Sequence, residues 1–193
     1  MGNRFGVAKK SYLIPVKLTT RYHASDVTAA LIAVLDDIQQ NRPKRLGKAV
    51  VVMSIMSGFR FDYRTFIPPG HAEYEDFDRY ISFIKAENVP VVTCAGNDAD
   101  DSPTINSVPQ LFTRTPVINV GAITLDGEKA LFSQTAPKEP GYRPELYAPG
   151  ARVTCAKWYT TGVSPSWGTS FAAPMVCHPS PSLPLSLCRT VFY

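Results

Sequence analysis

Between residues 13 and 95, two amphipathic helical segments alternate with three short apolar strands, and this alternation constrains the fold more than any other feature of the chain. Leu13-Ile14-Pro15-Val16-Lys17-Leu18 reads as the first strand, with Pro15 removing one ladder donor. Ser25 or Asp26 then caps a helix in which Val27, Ala30, Leu31, Val34, Leu35 and Ile38 recur at three- and four-residue spacing and share one face. Asn41-Arg42-Pro43 ends it. Ala49-Val50-Val51-Val52-Met53-Ser54 has the continuous apolar character of a strand covered on both faces. A linker containing Pro68-Pro69-Gly70 leads to a second helix lined by Tyr74, Phe77, Tyr80, Ile81 and Ile84, and Val89 to Ala95 forms the third strand, cut off by Gly96-Asn97. The order strand-helix-strand-helix-strand predicts an α/β fold of three layers, with a mostly parallel central sheet flanked by helices. Ligands in such folds gather beyond the carboxyl ends of the strands.

After Asn97 the pattern is less regular. Val117 to Val120, Leu131 to Ser133 and Arg152 to Cys155 are expected as short strands, Thr124 to Glu128 as a connecting turn, and Lys138 to Pro149 as loop. A helix starting near Thr169 can absorb Pro174 in its first turns but should stop by His178, because Pro179, Pro181 and Pro184 follow. Ser182 to Tyr193 has no clear period and is expected to be disordered or poorly packed. The chain is therefore divided into one domain over 1–178 and a Pro-rich tail over 179–193, with no internal repeat; the family resemblance described below implies that the domain is partial and the tail divergent.

Composition removes several function classes. Twenty Lys plus Arg against 16 Asp plus Glu leave a net charge of +4, and the charges are scattered, so no nucleic-acid footprint is expected. No apolar run approaches the roughly 20 residues of a membrane span. Met1 to Gly6 does not open a secretory signal. Cys94, Cys155, Cys177 and Cys188 lack zinc-like spacing, so no metal site is expected, and Asp98, Asp100 and Asp101 read as a solvated acidic loop. Gly6 to Ser11 lacks the frame of a phosphate-binding loop, and no G-x-G-x-x-G crossover occurs.

The sharpest chemical motif is Gly168-Thr169-Ser170-Phe171-Ala172-Ala173-Pro174-Met175-Val176. A glycine permits close backbone approach, and a hydroxyl in the first turn of a helix can face a cleft beside free backbone N–H groups. Taken alone, the same residues also describe an ordinary helix cap. Asn97, after an apolar strand and Gly96, has a carboxamide able to donate to an oxyanion, although Gly-Asn is also common turn chemistry. Together the nonapeptide, Val91 to Asn97, Val117 to Ala122 with Phe132-Ser133, and Tyr147-Ala148-Pro149-Gly150 resemble, in the same order, the motifs of the subtilisin-like serine proteases, in particular the secreted fungal type. Gly6 to Lys10 and Leu13 to Lys17 resemble the strand after that family's catalytic His helix, and Val51 to Gly58 its substrate-binding strand.

The resemblance implies a subtilisin-like fold, incomplete here, with Ser170 as nucleophile and Asn97 as oxyanion donor. It also implies that Ser54, Ile55, Met56, Ser57 and Gly58 on one side and Cys94, Ala95 and Gly96 on the other wall the pocket for the residue before the scissile bond, with an extended peptide lying beside the first segment as an added strand. Met56 and Trp167 stand where the family has small residues, so Met56 is expected to narrow the groove and Trp167 to displace the nucleophile. The family's catalytic Asp and His motifs do not occur in this sequence, and the match begins just after them. His23, His71 and His178 have no counterpart as the base. The expectation is therefore a serine endopeptidase by family, lacking turnover in this chain, N-terminally truncated and marginally folded. The alternative is a non-catalytic homologue that binds extended peptides. Polypeptide substrates or a propeptide-like inhibitor are the implied partners; an extracellular location and structural calcium are implied by resemblance alone, and no cofactor is expected.

Overall fold

The computed structural model describes residues 11–18, 24–55, 72–105, 107–110, 117–135, 146–157, 160–177 and 187–192. Its strands are β1 (Leu13–Lys17), β2 (Ala49–Met53), β3 (Val91–Cys94), β4 (Ile118–Ile123), β5 (Leu146–Pro149), β6 (Val153–Ala156), β7 (Val163–Ser166) and β8 (Leu187–Phe192). Its helices are α1 (Ala24–Gln40), α2 (Arg42–Arg45), α3 (Ala72–Ala86) and α4 (Thr169–Ala172), the last running on into a 3-10 turn over Ala173–Met175. Among the described residues, six strands form one sheet in the order β1-β8-β2-β3-β4-β5, every pair parallel, while β6 and β7 make a separate antiparallel hairpin.

Strand side chains alternate between two apolar layers, as the two-residue period of a strand requires. Val51 and Met53 of β2 and Val91 of β3 face α1 and α3, joining Leu31, Val34, Ile38, Phe77, Ile81 and Ile84. Val52, Val92 and Cys94 face the opposite way, joining Val120, Ala122, Ala148, Ala172 and Ala173. The sheet is thus the middle of three layers, and the short α4 segment lies on the side away from the two long helices. Every apolar position read on the face of α1 is buried.

Several elements differ from the sequence reading. Helix α1 starts at Ala24, so Ser25 and Asp26 lie inside its first turn rather than capping it. Leu131 to Ser133 is a turn and not a strand: Leu131 is 89% exposed, and the chain reverses there because the Ser133 amide donates to the Ala130 carbonyl while the Ser133 hydroxyl accepts from the Ala122 amide. Leu146 to Pro149, read as loop, is β5 and pairs with β4 from Val120↔Leu146 to Ile123↔Pro149. Pro149 is tolerated because β5 has no partner on its other side among the described residues. Leu187 to Phe192, expected without order, is a strand placed between β1 and β2 and paired to both. Thr190, Val191 and Phe192 suit an extended strand, but six residues are too few to show a period.

Gly150 marks the point where β4, β5 and α4 meet. A Cβ there would lie 2.6 Å from the Ala122 Cβ and 2.9 Å from the Gly168 carbonyl oxygen, with the Ala172 Cβ 3.2 Å away. Two of these neighbours are methyl groups on rigid elements and one is backbone. Gly150→Ala is therefore expected to destabilise the fold by about 1–3 kcal/mol through overpacking. A denaturant titration unchanged in midpoint would contradict this close approach.

Candidate active site

The carboxyl ends of β2 and β3 and the start of α4 come together at one edge of the sheet. Gly168 makes the entry to α4 possible: its φ of +147° lies where side-chain-bearing residues are strained. A Cβ on Gly168 would also lie 3.4 Å from the Asn97 Nδ2, so the missing side chain leaves that amide accessible. The Gly168 amide donates to the Gly150 carbonyl at 2.9 Å, which fixes the turn against the end of β5.

Asn97 is exposed, yet its carboxamide is held. The Thr169 backbone N–H donates to Asn97 Oδ1 at 2.8 Å, and the Thr169 hydroxyl donates to the same oxygen at 2.9 Å. The Thr169 hydroxyl oxygen in turn accepts from the Gly96 amide at 3.1 Å. A backbone N–H only donates, so the carboxamide oxygen must face Thr169 and Nδ2 must point away from it. Nδ2 is thereby an oriented donor with no protein acceptor among the described residues. Thr169 is completely buried and performs this orientation. The sequence motif alone assigns Thr169 no role; its signal there is a hydroxyl immediately before the serine.

Ser170 is half-buried in the first turn of α4. Its hydroxyl lies 3.4 Å from the Ser54 carbonyl oxygen, and the Ser54 hydroxyl donates to the Ser170 carbonyl at 2.9 Å. The serine turn is thus tied to the beginning of the segment expected to bind peptide. The structure brings Ser170, Asn97, Ser54, Cys94 and Gly96 into one neighbourhood. Ala95 is buried and its amide donates to the Val120 carbonyl at 3.0 Å, continuing the sheet. Ile55 points its side chain into the core beneath α1 and α3, so only its backbone faces this edge. Met56, Ser57, Gly58 and the three histidines His23, His71 and His178 lie outside the described residues.

One expectation needs correction. Trp167 does not occupy the turn: it is 56% exposed, and the hydrogen bonds of Gly168 and Thr169 hold the backbone independently of its ring. A helix dipole contributes little at this site, because α4 has only four residues and too few aligned peptides. What remains is local: the Asn97 Nδ2, and a Ser170 N–H that falls among the first-turn donors lacking an intrahelical acceptor.

Cys94 lies beside this cluster. Burial pushes its thiol above its ordinary ionisation range, and hydrogen bonding with the Ser170 and Thr169 side chains offsets only part of that shift. The thiol is therefore protonated and unreactive at neutral pH, since the thiolate is the nucleophile. Iodoacetamide at neutral pH is expected to alkylate the half-buried Cys155 in the native protein and Cys94 only after unfolding. Peptide mapping that found both modified at similar rates would overturn this placement. No group of three or more His, Cys, Asp or Glu able to hold a metal ion occurs among the described residues. No helix among them is long and apolar enough to cross a membrane.

Comparison with known proteins bears on the family and the fold. Over 179 residues the chain is 31% identical to Subtilisin-like protease 11 of Trichophyton verrucosum, and to the protein of the same name from Arthroderma benhamiae; the match covers 91% of this chain and 38% of each relative. The chain therefore spans well under half the length of these curated relatives. Among solved structures, the prenylagaramide maturation protease PagA superposes with a TM-score of 0.57 at 22% identity, covering 80% of this chain and 46% of that one. Sphericase gives 0.57 at 21% identity, covering 80% and 47%. The PatG macrocyclase in complex with peptide gives 0.57 at 19% identity, covering 82% and 39%. These likenesses establish a shared fold. The subtilase (peptidase S8) family model matches residues 1–179, and with the parallel sheet and the relatives above it shows that this chain belongs to the subtilase family.

Proposed function

We propose that Ser170 is the nucleophile of a serine endopeptidase, that Asn97 Nδ2 donates to the oxyanion, and that an extended polypeptide lies along Ser54 to Gly58 opposite Cys94 to Gly96. The observation that carries this reading is the held carboxamide: an exposed Asn whose oxygen takes two hydrogen bonds from Thr169, leaving Nδ2, next to the serine turn, without an acceptor among the described residues. In the reaction, Ser170 Oγ bonds to the peptide carbonyl carbon, the carbonyl oxygen becomes the oxyanion, and collapse of that intermediate expels the amine to leave an acyl-enzyme that water releases. The serine proton needs a base, and the family's His and Asp motifs do not occur in these 193 residues. The 193-residue polypeptide by itself is therefore expected to bind peptides without cleaving them. An extracellular setting, and a propeptide-like segment as a second occupant of the groove, belong to the same proposal and rest on family resemblance.

A second reading is supported by one contact. Ser170 Oγ reaches the Ser54 carbonyl, so the hydroxyl is satisfied by backbone as it would be in a homologue that only binds. Peptide aldehydes separate the two. Addition joins Ser170 Oγ to the aldehyde carbon and moves the hydroxyl proton to the former carbonyl oxygen, giving a hemiacetal with no net proton consumed. The aldehyde is expected to bind this protein more tightly than the matching peptide alcohol, and Ser170→Ala to erase the difference. Equal affinities in the unsubstituted protein would favour the binding-only homologue, and no affinity for either peptide would remove both readings.

A further inference from the structure

Arg42-Pro43-Lys44-Arg45-Leu46-Gly47-Lys48 carries the densest positive charge of the chain, and the reaction above does not use it. The 193 residues contain two adjacent basic pairs, Lys9-Lys10 and Lys44-Arg45, and only the second has a further basic residue, Arg42, four positions before the bond that follows the pair. The run lies on the surface between α1 and β2: α2 buries none of its residues, and Lys44, Leu46, Gly47 and Lys48 are all exposed. Its backbone is held by few bonds. The Lys44 and Arg45 amides donate to the Asn41 carbonyl at 2.8 and 3.1 Å, and the Leu46 amide donates to the Arg42 carbonyl at 2.9 Å. Two ion pairs tie the run to the helices beside it, Arg42 Nε to Glu87 Oε2 at 3.1 Å and Arg45 Nε to Asp37 Oδ2 at 3.2 Å. The Arg42 side chain is still 61% exposed, whereas that of Arg45 is 12% exposed.

We propose that the Arg45–Leu46 bond is a proteolytic processing site, cut by a separate endopeptidase whose substrate cleft presents acidic side chains to Arg42, Lys44 and Arg45. This chain is the substrate in that event, so the inference is independent of the peptidase reading above. A bound segment is extended, and residues two apart then share a face. Arg42 and Lys44 project together and Arg45 to the other side, so the run presents three charges in an arrangement that a lone surface lysine lacks. The opening this requires is local, because α2 has no buried side chain to expose, and exposed segments of this kind are where chains are nicked. Asp37 acts as a latch. Arg45 has to leave its carboxylate before entering a cleft, and cutting follows the fraction of molecules in which it has done so. Water supplies the atoms: the C–N bond between Arg45 and Leu46 breaks, the water oxygen ends on the Arg45 carboxylate, and both its protons end on the Leu46 ammonium group. The smaller piece keeps β1 and α1. Since β1 is paired with β8 along five residues and α1 shares a core with α3, the two pieces stay together.

The test incubates the native 193-residue protein with an endopeptidase specific for paired basic residues and follows the intact masses. The first products are expected to be residues 1–45 and 46–193, eluting together on gel filtration until denaturant separates them. Arg45→Gln is expected to abolish this cut. Arg42→Gln separates recognition from exposure, because it breaks the ion pair to Glu87 and loosens α2, which would speed cutting if access alone mattered. Loss of a recognised charge is expected instead to slow it at least about tenfold, the scale of one hydrogen bond to a charged group. Asp37→Ala frees Arg45 and should raise the rate several-fold. First cutting at another bond, a rate in Arg42→Gln equal to or above that of the unsubstituted protein, or a native protein left whole while the denatured chain is cut after Arg45 would overturn the proposal. An unchanged rate in Asp37→Ala would overturn the latch alone, and release of residues 1–45 without denaturant would overturn the two-piece product alone.

Discussion

Deleting residues 178–193 is expected to abolish cooperative unfolding altogether. The segment contains β8, which pairs along five residues with β1, from Leu13↔Cys188 to Lys17↔Phe192, and along five with β2, from Ala49↔Leu187 to Met53↔Val191. At about 0.5–1.5 kcal/mol net for each ladder hydrogen bond, two such rows contribute on the order of 5–15 kcal/mol, comparable with the whole stability of a domain. The deletion would also leave β1 detached and the buried strand β2 with an open edge, and unpaired edges promote association. A single substitution probes the same claim. Thr190 faces Pro15 on one side and Val52 on the other, so Thr190→Pro removes a donor from an interior strand and should lower the melting temperature by many degrees. Circular dichroism on heating, with dye binding to exposed apolar surface, follows both variants. A truncated protein that melted as sharply and as late as the full chain would show that β8 is not an integral strand.

The part of the fold legible in the sequence is the part carried by long periods. Val27 to Ile38 and Phe77 to Ile84 repeat often enough to specify a helical face, and Ala49 to Met53 is too apolar to be anything but an interior strand. β5 and β8 escaped because four and six residues show no period, and their places in the sheet depend on partners distant in sequence. Leu131 to Ser133 misled because an apolar pair can equally occupy a tight turn when a hydroxyl such as that of Ser133 supplies the missing hydrogen bond. The same division holds at the candidate site. Ser170 and Asn97 stand in motifs and can be named from the sequence. Thr169 acts through hydrogen bonds to a residue 72 positions away, and no local pattern announces such contacts.

Asn97 should control whatever slow chemistry this polypeptide performs, and more strongly than Ser170 does. A subtilisin-type site stripped of its triad still accelerates hydrolysis about 10³–10⁴-fold over water, because the oxyanion donors and the binding groove remain. A p-nitrophenyl ester of an extended peptide has a leaving group good enough for water itself to attack the held carbonyl. Its hydrolysis by the 193-residue protein is therefore expected to exceed the background rate and to survive Ser170→Ala. Asn97→Ala should lower it by about 10²–10³, the effect of losing the corresponding donor in subtilisin. Asn97→Asp sharpens the argument, because a carboxylate can still accept both Thr169 hydrogen bonds yet places negative charge where Nδ2 would meet the oxyanion. The Asp variant should consequently be more stable to heat than the Ala variant and no more active. If Asn97→Ala left the ester rate unchanged while Ser170→Ala abolished it, the chemistry would belong to the serine hydroxyl alone, and the held carboxamide would be only a turn residue.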